Sequence, residues 1–133
     1  MTEQREGVKD KVLVVDDDPA ALLATTSLLT QEGYEVFSAS GIDQALQAVE
    51  DRKPGVVLFE ILRPPAGAID FARRLALSDS TKYVPVVTVT ALNEYQIASF
   101  LNGIPGVRRI VQSPSEPDAL RAEVAFALRH VRR

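Results

Sequence analysis

The chain has 133 residues, 15 Lys and Arg against 18 Asp and Glu, a formal net charge of −3 and no cysteine. That length suits one domain burying about two-thirds of its unfolded surface, and the missing cysteines exclude disulfides, thiolate metal sites and thiol nucleophiles. No apolar run approaches the ~18 residues of a membrane span, and no basic stripe interleaved with aromatics points to nucleic acid.

The polar start MTEQREGVKD has no hydrophobic stretch of the signal-peptide kind. Residues 1–10 therefore read as a polar tail, 11–133 as the folded domain, and the expected compartment is the cytoplasm. Charge is spread unevenly. Residues 1–66 carry 6 Lys/Arg and 12 Asp/Glu, whereas residues 67–133 carry 9 and 6.

Strand and helix signals then alternate. Val12–Val15 is a continuous apolar run, the pattern of a strand buried on both faces. It ends at Asp16-Asp17-Asp18, and Asp18-Pro19 opens a helix, with Asp as N-cap and Pro in the first turn. This helix is expected to reach Glu32 and stop at Gly33. Tyr34–Ala39 reads as a second strand. Ser40 with Asp43 resembles a capping box, and Ile42, Ala45, Leu46 and Val49 recur at helical spacing. Lys53-Pro54-Gly55 breaks that helix before a third strand, Val56–Phe59, which runs into Glu60.

Pro64-Pro65-Ala66-Gly67 reads as a loop, followed by a helix around Ile69, Ala72 and Leu75 or Ala76. Val84–Val89 is a fourth strand ending at Thr90-Ala91, and a fourth helix is expected over roughly Asn93 to Leu101. Val107–Gln112 is a fifth strand. Ser115 with Asp118 then caps a last helix presenting Leu120, Val124, Leu128 and Val131 on one face. Alternation of this kind requires right-handed crossovers and a parallel sheet with helices on both faces. The fold class is a doubly wound α/β domain.

In such a sheet the functional site lies beyond the carboxyl ends of the strands. Those ends supply Asp16, Asp17 and Asp18, then Glu60, Thr90-Ala91, and Ser113-Pro114. The set resembles the receiver domain of two-component response regulators over essentially the whole chain from Lys11. VLVVDDDP is similar to the usual first strand and acidic pair, and Pro64, Thr90-Ala91, Gly106 and Pro114 match further motif positions. The resemblance implies a flavodoxin-like, five-stranded sheet of order 2-1-3-4-5. It also implies a phosphorylation switch rather than an enzyme. An aspartate after the third strand takes a phosphoryl group, Mg²⁺ is held by the acidic pair, and a hydroxyl and a lysine bind the phosphoryl oxygens.

Carried over by position, Asp16, Asp17 and Glu60 would be the metal ligands, with the backbone carbonyl of Leu62. Thr90 keeps the switch hydroxyl. Three positions depart together: Glu60 stands at the phosphoacceptor, Ser113 at the lysine, and Ile110 at the aromatic switch. Arg63 and Ala66 stand where methionine is usual, and Ala68 where glycine is common.

A Glu carboxylate projects about 1.5 Å further than that of Asp, and a misplacement of ~1 Å can cost about a hundredfold in an in-line attack. Ser113 supplies no cation to offset phosphoryl charge. The expectation is a pseudo-receiver that signals by binding protein, with Glu60 as a weak imitation of the phosphorylated charge. Crowded carboxylates must be relieved by a cation, a raised pKa or an arginine such as Arg63. Oxygen ligands suit Mg²⁺ or Ca²⁺.

The expected partners are a histidine kinase, an effector or another signalling protein. They would meet the face formed by the fourth helix, fifth strand and last helix, where Arg108, Arg109, Arg121, Arg129, Arg132 and Arg133 cluster. The simplest reading of those arginines is a solvated surface.

Two other functions compete. One is a conventional phosphoacceptor receiver using Asp17 or another carboxylate. The other is a haloacid-dehalogenase-like phosphatase, suggested by Asp16-x-Asp18 but lacking that family's later acidic motif at the strand ends. A dinucleotide site is disfavoured because the first strand-to-helix turn is acidic and has no glycine fingerprint. His130, the only histidine, reads as a solvated helix-end residue.

Overall fold

The computed structural model describes residues 9–61, 65–90, 107–112 and 116–129. Five parallel strands form one sheet: β1 Lys11–Val15, β2 Glu35–Ala39, β3 Val56–Ile61, β4 Val86–Thr90 and β5 Val107–Gln112. Their order is β2-β1-β3-β4-β5, as expected. The helices are α1 Pro19–Gln31, α2 Ile42–Arg52, α3 Pro65–Ala76 and a last helix, Pro117–Arg129. The expected helix over Asn93–Leu101 lies outside the described residues, as do the Ser115 cap, Val131 and His130.

The sheet follows from its apolar runs. In β1, Leu13 and Val15 point to one face and Val12 and Val14 to the other, so a run without alternation is satisfied only at the centre of a covered sheet. The first face packs under α2 and α3 through Ala45, Val49, Phe71 and Leu75. There the Phe59 and Phe71 rings lie 5.0 Å apart and tilted by 31°, a geometry that contributes about 1 kcal/mol beyond burial. The second face packs under α1 and the last helix through Leu29, Val124 and Ala127.

Local chemistry sets the element ends. Asp18 Oδ1 accepts from the Ala20 N–H at 3.2 Å, with Pro19 following, so α1 starts where its cap places it. At its other end Gly33, at φ 97°, lets Gly33 N–H and Tyr34 N–H return to the Thr30 and Leu29 carbonyls. Lys53 leaves α2 in the left-handed region at φ 51°. The chain then turns at Gly55, where an added Cβ would stand 2.7 Å from Leu128 Cδ2 of the last helix.

Three expected boundaries are corrected. α2 has Gly41 as its N-cap with no side-chain cap bond; instead Gln44 reaches back to the Ser40 N–H and hydroxyl at 2.7 and 3.1 Å. No Ser40–Asp43 box therefore forms. β4 begins at Val86 rather than Val84 because Pro85 lacks an N–H and Val84 N–H turns back to the Thr81 carbonyl. α3 already includes Pro65, Ala66 and Gly67, expected as loop. Proline is tolerated in a first helical turn, where its missing N–H would have had no intrahelical partner.

Candidate functional site

The site grows from the carboxyl ends of the two central strands. β1 and β3 pair in register from Val12↔Val56 to Val15↔Phe59. The next residue on each strand is Asp16 and Glu60, so the pairing that aligns the core also sets these carboxyls side by side. Neighbouring strands are about 4.8 Å apart. Asp16 N–H donates to the Ala39 carbonyl at 3.1 Å, which prolongs the β1–β2 ladder by one residue and draws Asp16 inside.

Asp16 is 1% exposed. Its Oδ1 accepts from the Asp18 N–H at 2.9 Å, while its Oδ2 is enclosed and has no hydrogen-bond partner of normal geometry. Asp17 and Asp18 are exposed at the rim. Of the three consecutive aspartates, one is buried, one faces solvent and one caps α1.

Glu60 is half-buried and lies in β3, paired with Val89 of β4. Its pKa is pushed up from 4.5 to about 8, first by burial, next by interaction with the Asp16 side chain, then by the negative charges of Asp16, Asp18 and Asp17. The interaction with Asp16 is carboxyl proximity rather than a well-formed hydrogen bond, since Asp16 Oδ2 remains unpaired. Of the three expected forms of relief, a raised pKa is the one found at Glu60.

Thr90 ends β4, paired with Ile61 and Gln112, so its backbone lies on the same sheet edge one strand from Glu60. Ile110 sits two residues before the end of β5, opposite Thr88. Leu62, Arg63 and Ser113 lie outside the described residues. Sequence reading missed the Asp18 N–H bond that orients Asp16. The signal was present in the Asp-x-Asp spacing, since Asp side chains commonly accept from the backbone two residues on.

Among the described residues no group of three acidic or histidine side chains is placed to share a metal ion. The donors still fit a hard cation. An unpaired, buried Asp16 oxygen beside a second carboxyl is a pair of oxygen ligands, and Mg²⁺ is commonly held by one or two carboxylates and its own waters. Asp16 and Glu60 would hold it, with Asp17 at the rim. A bound cation would supply charge neutralisation in the pocket.

Comparison with known proteins places this geometry. Residues 12–125 match the family model described as the response regulator receiver domain. The chain is a response regulator receiver domain. It is 32% identical over 92% of its length to the DNA-binding response regulator MtrA of Mycolicibacterium smegmatis, of which the match covers 52%. It is 29% identical over 89% of its length to the phosphate regulon transcriptional regulatory protein PhoB of Pseudomonas aeruginosa, of which 51% is covered. The chain thus spans about half the length of these curated relatives.

Among solved structures, a CheY-like receiver domain protein from Methanospirillum hungatei superposes with a TM-score of 0.79 at 24% identity. That match covers 91% of this chain and 94% of the other, and at such identity it establishes the fold alone. Receiver domains are signalling modules of two-component systems that meet histidine kinases and effectors, and they typically bind Mg²⁺ at the phosphorylation site. In this receiver, among the described residues, no helix is long and apolar enough to cross a membrane.

Proposed function

We propose that this receiver acts through protein–protein interaction without aspartyl phosphorylation. The observation that carries the reading is Glu60 itself: β3 delivers a glutamate, not an aspartate, to the place beside buried Asp16. The longer side chain displaces the nucleophilic oxygen by about 1.5 Å, a displacement that can cost roughly a hundredfold or more in an in-line transfer. Ser113 in place of the lysine removes the ammonium that would offset phosphoryl charge, and Ile110 replaces the aromatic ring that would report it.

The output surface is the face around β5 and the last helix. Support comes from the arginines that the sequence places there. Arg121 is engaged within the fold. Its guanidinium pairs with Glu32 at the end of α1 at 2.9 Å and with Asp118 one turn away. It therefore ties the last helix to the end of α1.

The test is intact-mass measurement after incubation with a small acyl phosphate and Mg²⁺. The native chain is expected to gain no phosphoryl increment (~80 Da). The double variant Glu60→Asp with Ser113→Lys is expected to gain it. An increment on the native chain overturns the reading.

A further inference from the structure

The last helix has two unlike faces. Leu120, Val124, Ala127 and Leu128 turn inward onto the sheet. On the opposite side Asp118, Ala119, Ala122, Phe126 and Arg129 are all exposed. Between Asp118 at one end and Arg129 at the other, this outer face carries no charge. It consists of Ala119, Ala122 and Phe126, with half-buried Ala125 beside them. Phe126 is 39% exposed, so a ring stands out one helical turn from the small Ala122.

The order of the charges selects an occupant. Acid lies at the amino end of the face and base at the carboxyl end, about 16 Å apart along the axis. A second copy of the same helix, laid antiparallel, brings its Arg129 to Asp118 and its Asp118 to Arg129. At that register the second copy's Phe126 lies level with Arg121, over the hollow left by Ala119 and Ala122. The relation is reciprocal, as a two-fold contact requires. Asp118 is open to such a partner: its side chain is 93% exposed although it also pairs with Arg121.

The other exposed apolar side chains lack this match. Leu23 of α1 is 68% exposed and has small neighbours in Ala20 and Ala24. Yet α1 has Asp17 and Asp18 before it and Glu32 after it, so two copies of that face would set acid against acid in either direction. Leu77 and Tyr83 belong to the turns between α3 and β4, which offer no extended face.

We infer that two copies of this receiver associate through antiparallel last helices, Asp118 against Arg129 and Phe126 over Ala119 and Ala122, with no phosphoryl group required. The inference deepens the proposed reading, on which it rests, by naming a second copy of the chain as a partner of the output face. One helix per copy makes a contact at the small, transient end of interface sizes, below about 1,200 Å² in total. Association is therefore reversible and concentration-dependent.

The experiment is sedimentation velocity of the full chain across a concentration series, with no phosphodonor present. The native chain is expected to pass from monomer to dimer as concentration rises. Asp118→Arg and Arg129→Asp each set like charges together at both ends of the contact and should weaken pairing about tenfold. Mixed in equal amounts, the two variants face each other with opposite charges at both ends, so association should return. Ala122→Gln fills the hollow and should weaken pairing with every charge unchanged. Circular dichroism checks each fold, and Ala122→Gln keeps the test decisive where a reversed helix end fails to fold.

A native chain that stays monomeric throughout overturns the inference. So does a mixture that associates no better than either variant alone, or a dimer indifferent to Ala122→Gln. Intact mass is measured on the same chain after acyl phosphate treatment. A phosphoryl increment on the native chain defeats the unphosphorylated reading, and a dimer seen only with that increment defeats both. A monomer without the increment defeats only the self-pairing.

Discussion

Glu60 should make stability fall as pH rises, measurable by comparing the native chain with Glu60→Gln. Its carboxyl ionises near 4.5 when unfolded and near 8 when folded. Below 4.5 both states keep the proton, and the contribution of this group is fully present. From there to about 8 the unfolded chain releases the proton while the folded chain retains it, so stability is lost progressively as pH climbs. At about 1.36 kcal/mol per pH unit the ceiling is near 5 kcal/mol. Water reaching a half-buried side chain screens the charges and reduces this to about 2 kcal/mol.

The assay is urea unfolding followed by circular dichroism, with chelator present so that no cation takes the proton's place. Glutamine keeps the shape and cannot ionise. The native chain should therefore lose about 2 kcal/mol relative to Glu60→Gln between mildly acidic and mildly alkaline pH. Parallel curves, or a native chain that gains on the variant as pH rises, would refute the protonated pair at Asp16 and Glu60.

Asp18→Ala should cost about 1 kcal/mol by removing the α1 cap, and Asp18→Asn almost nothing, measured by the urea midpoint. Gly55→Ala pushes a Cβ to 2.7 Å from Leu128 Cδ2. The far end of a leucine can yield, so the expected loss is about 1–2 kcal/mol, partly restored when Leu128→Ala is combined with it. Phe71→Ala removes a fully buried ring stacked on Phe59 and should cost about 3–5 kcal/mol, read as a lowered melting temperature without a change in far-ultraviolet dichroism below the transition.

The central strands were legible because burial on both faces leaves one pattern, an unbroken apolar run, and Val12–Val15 and Val56–Phe59 show it. Boundaries were less so, and each miss has a local cause. Pro85 reads as part of a strand until its missing N–H is set against the ladder, and Pro65 reads as loop until it is placed in a first helical turn. Gln44 outcompetes Asp43 for the Ser40 N–H, a choice between neighbouring side chains that no spacing rule decides.

The pocket divides in the same way. Its location followed from strand ends alone, and Pro19 marked Asp18 as a helix cap, but nothing in the sequence says which aspartate is enclosed. What separates them is the single bond from Asp16 N–H to the Ala39 carbonyl, which draws one aspartate inside and leaves two at the rim. Once Asp16 is enclosed, the register of β1 against β3 leaves Glu60 no position away from it, and the extra methylene brings a second carboxyl into the same small volume. Two carboxylates there cannot both stay charged without a counter-ion. Burial and the neighbouring aspartates therefore push the Glu60 pKa up to about 8. The departure at position 60 thus changes more than reactivity, because it sets what occupies the pocket when no phosphoryl group does.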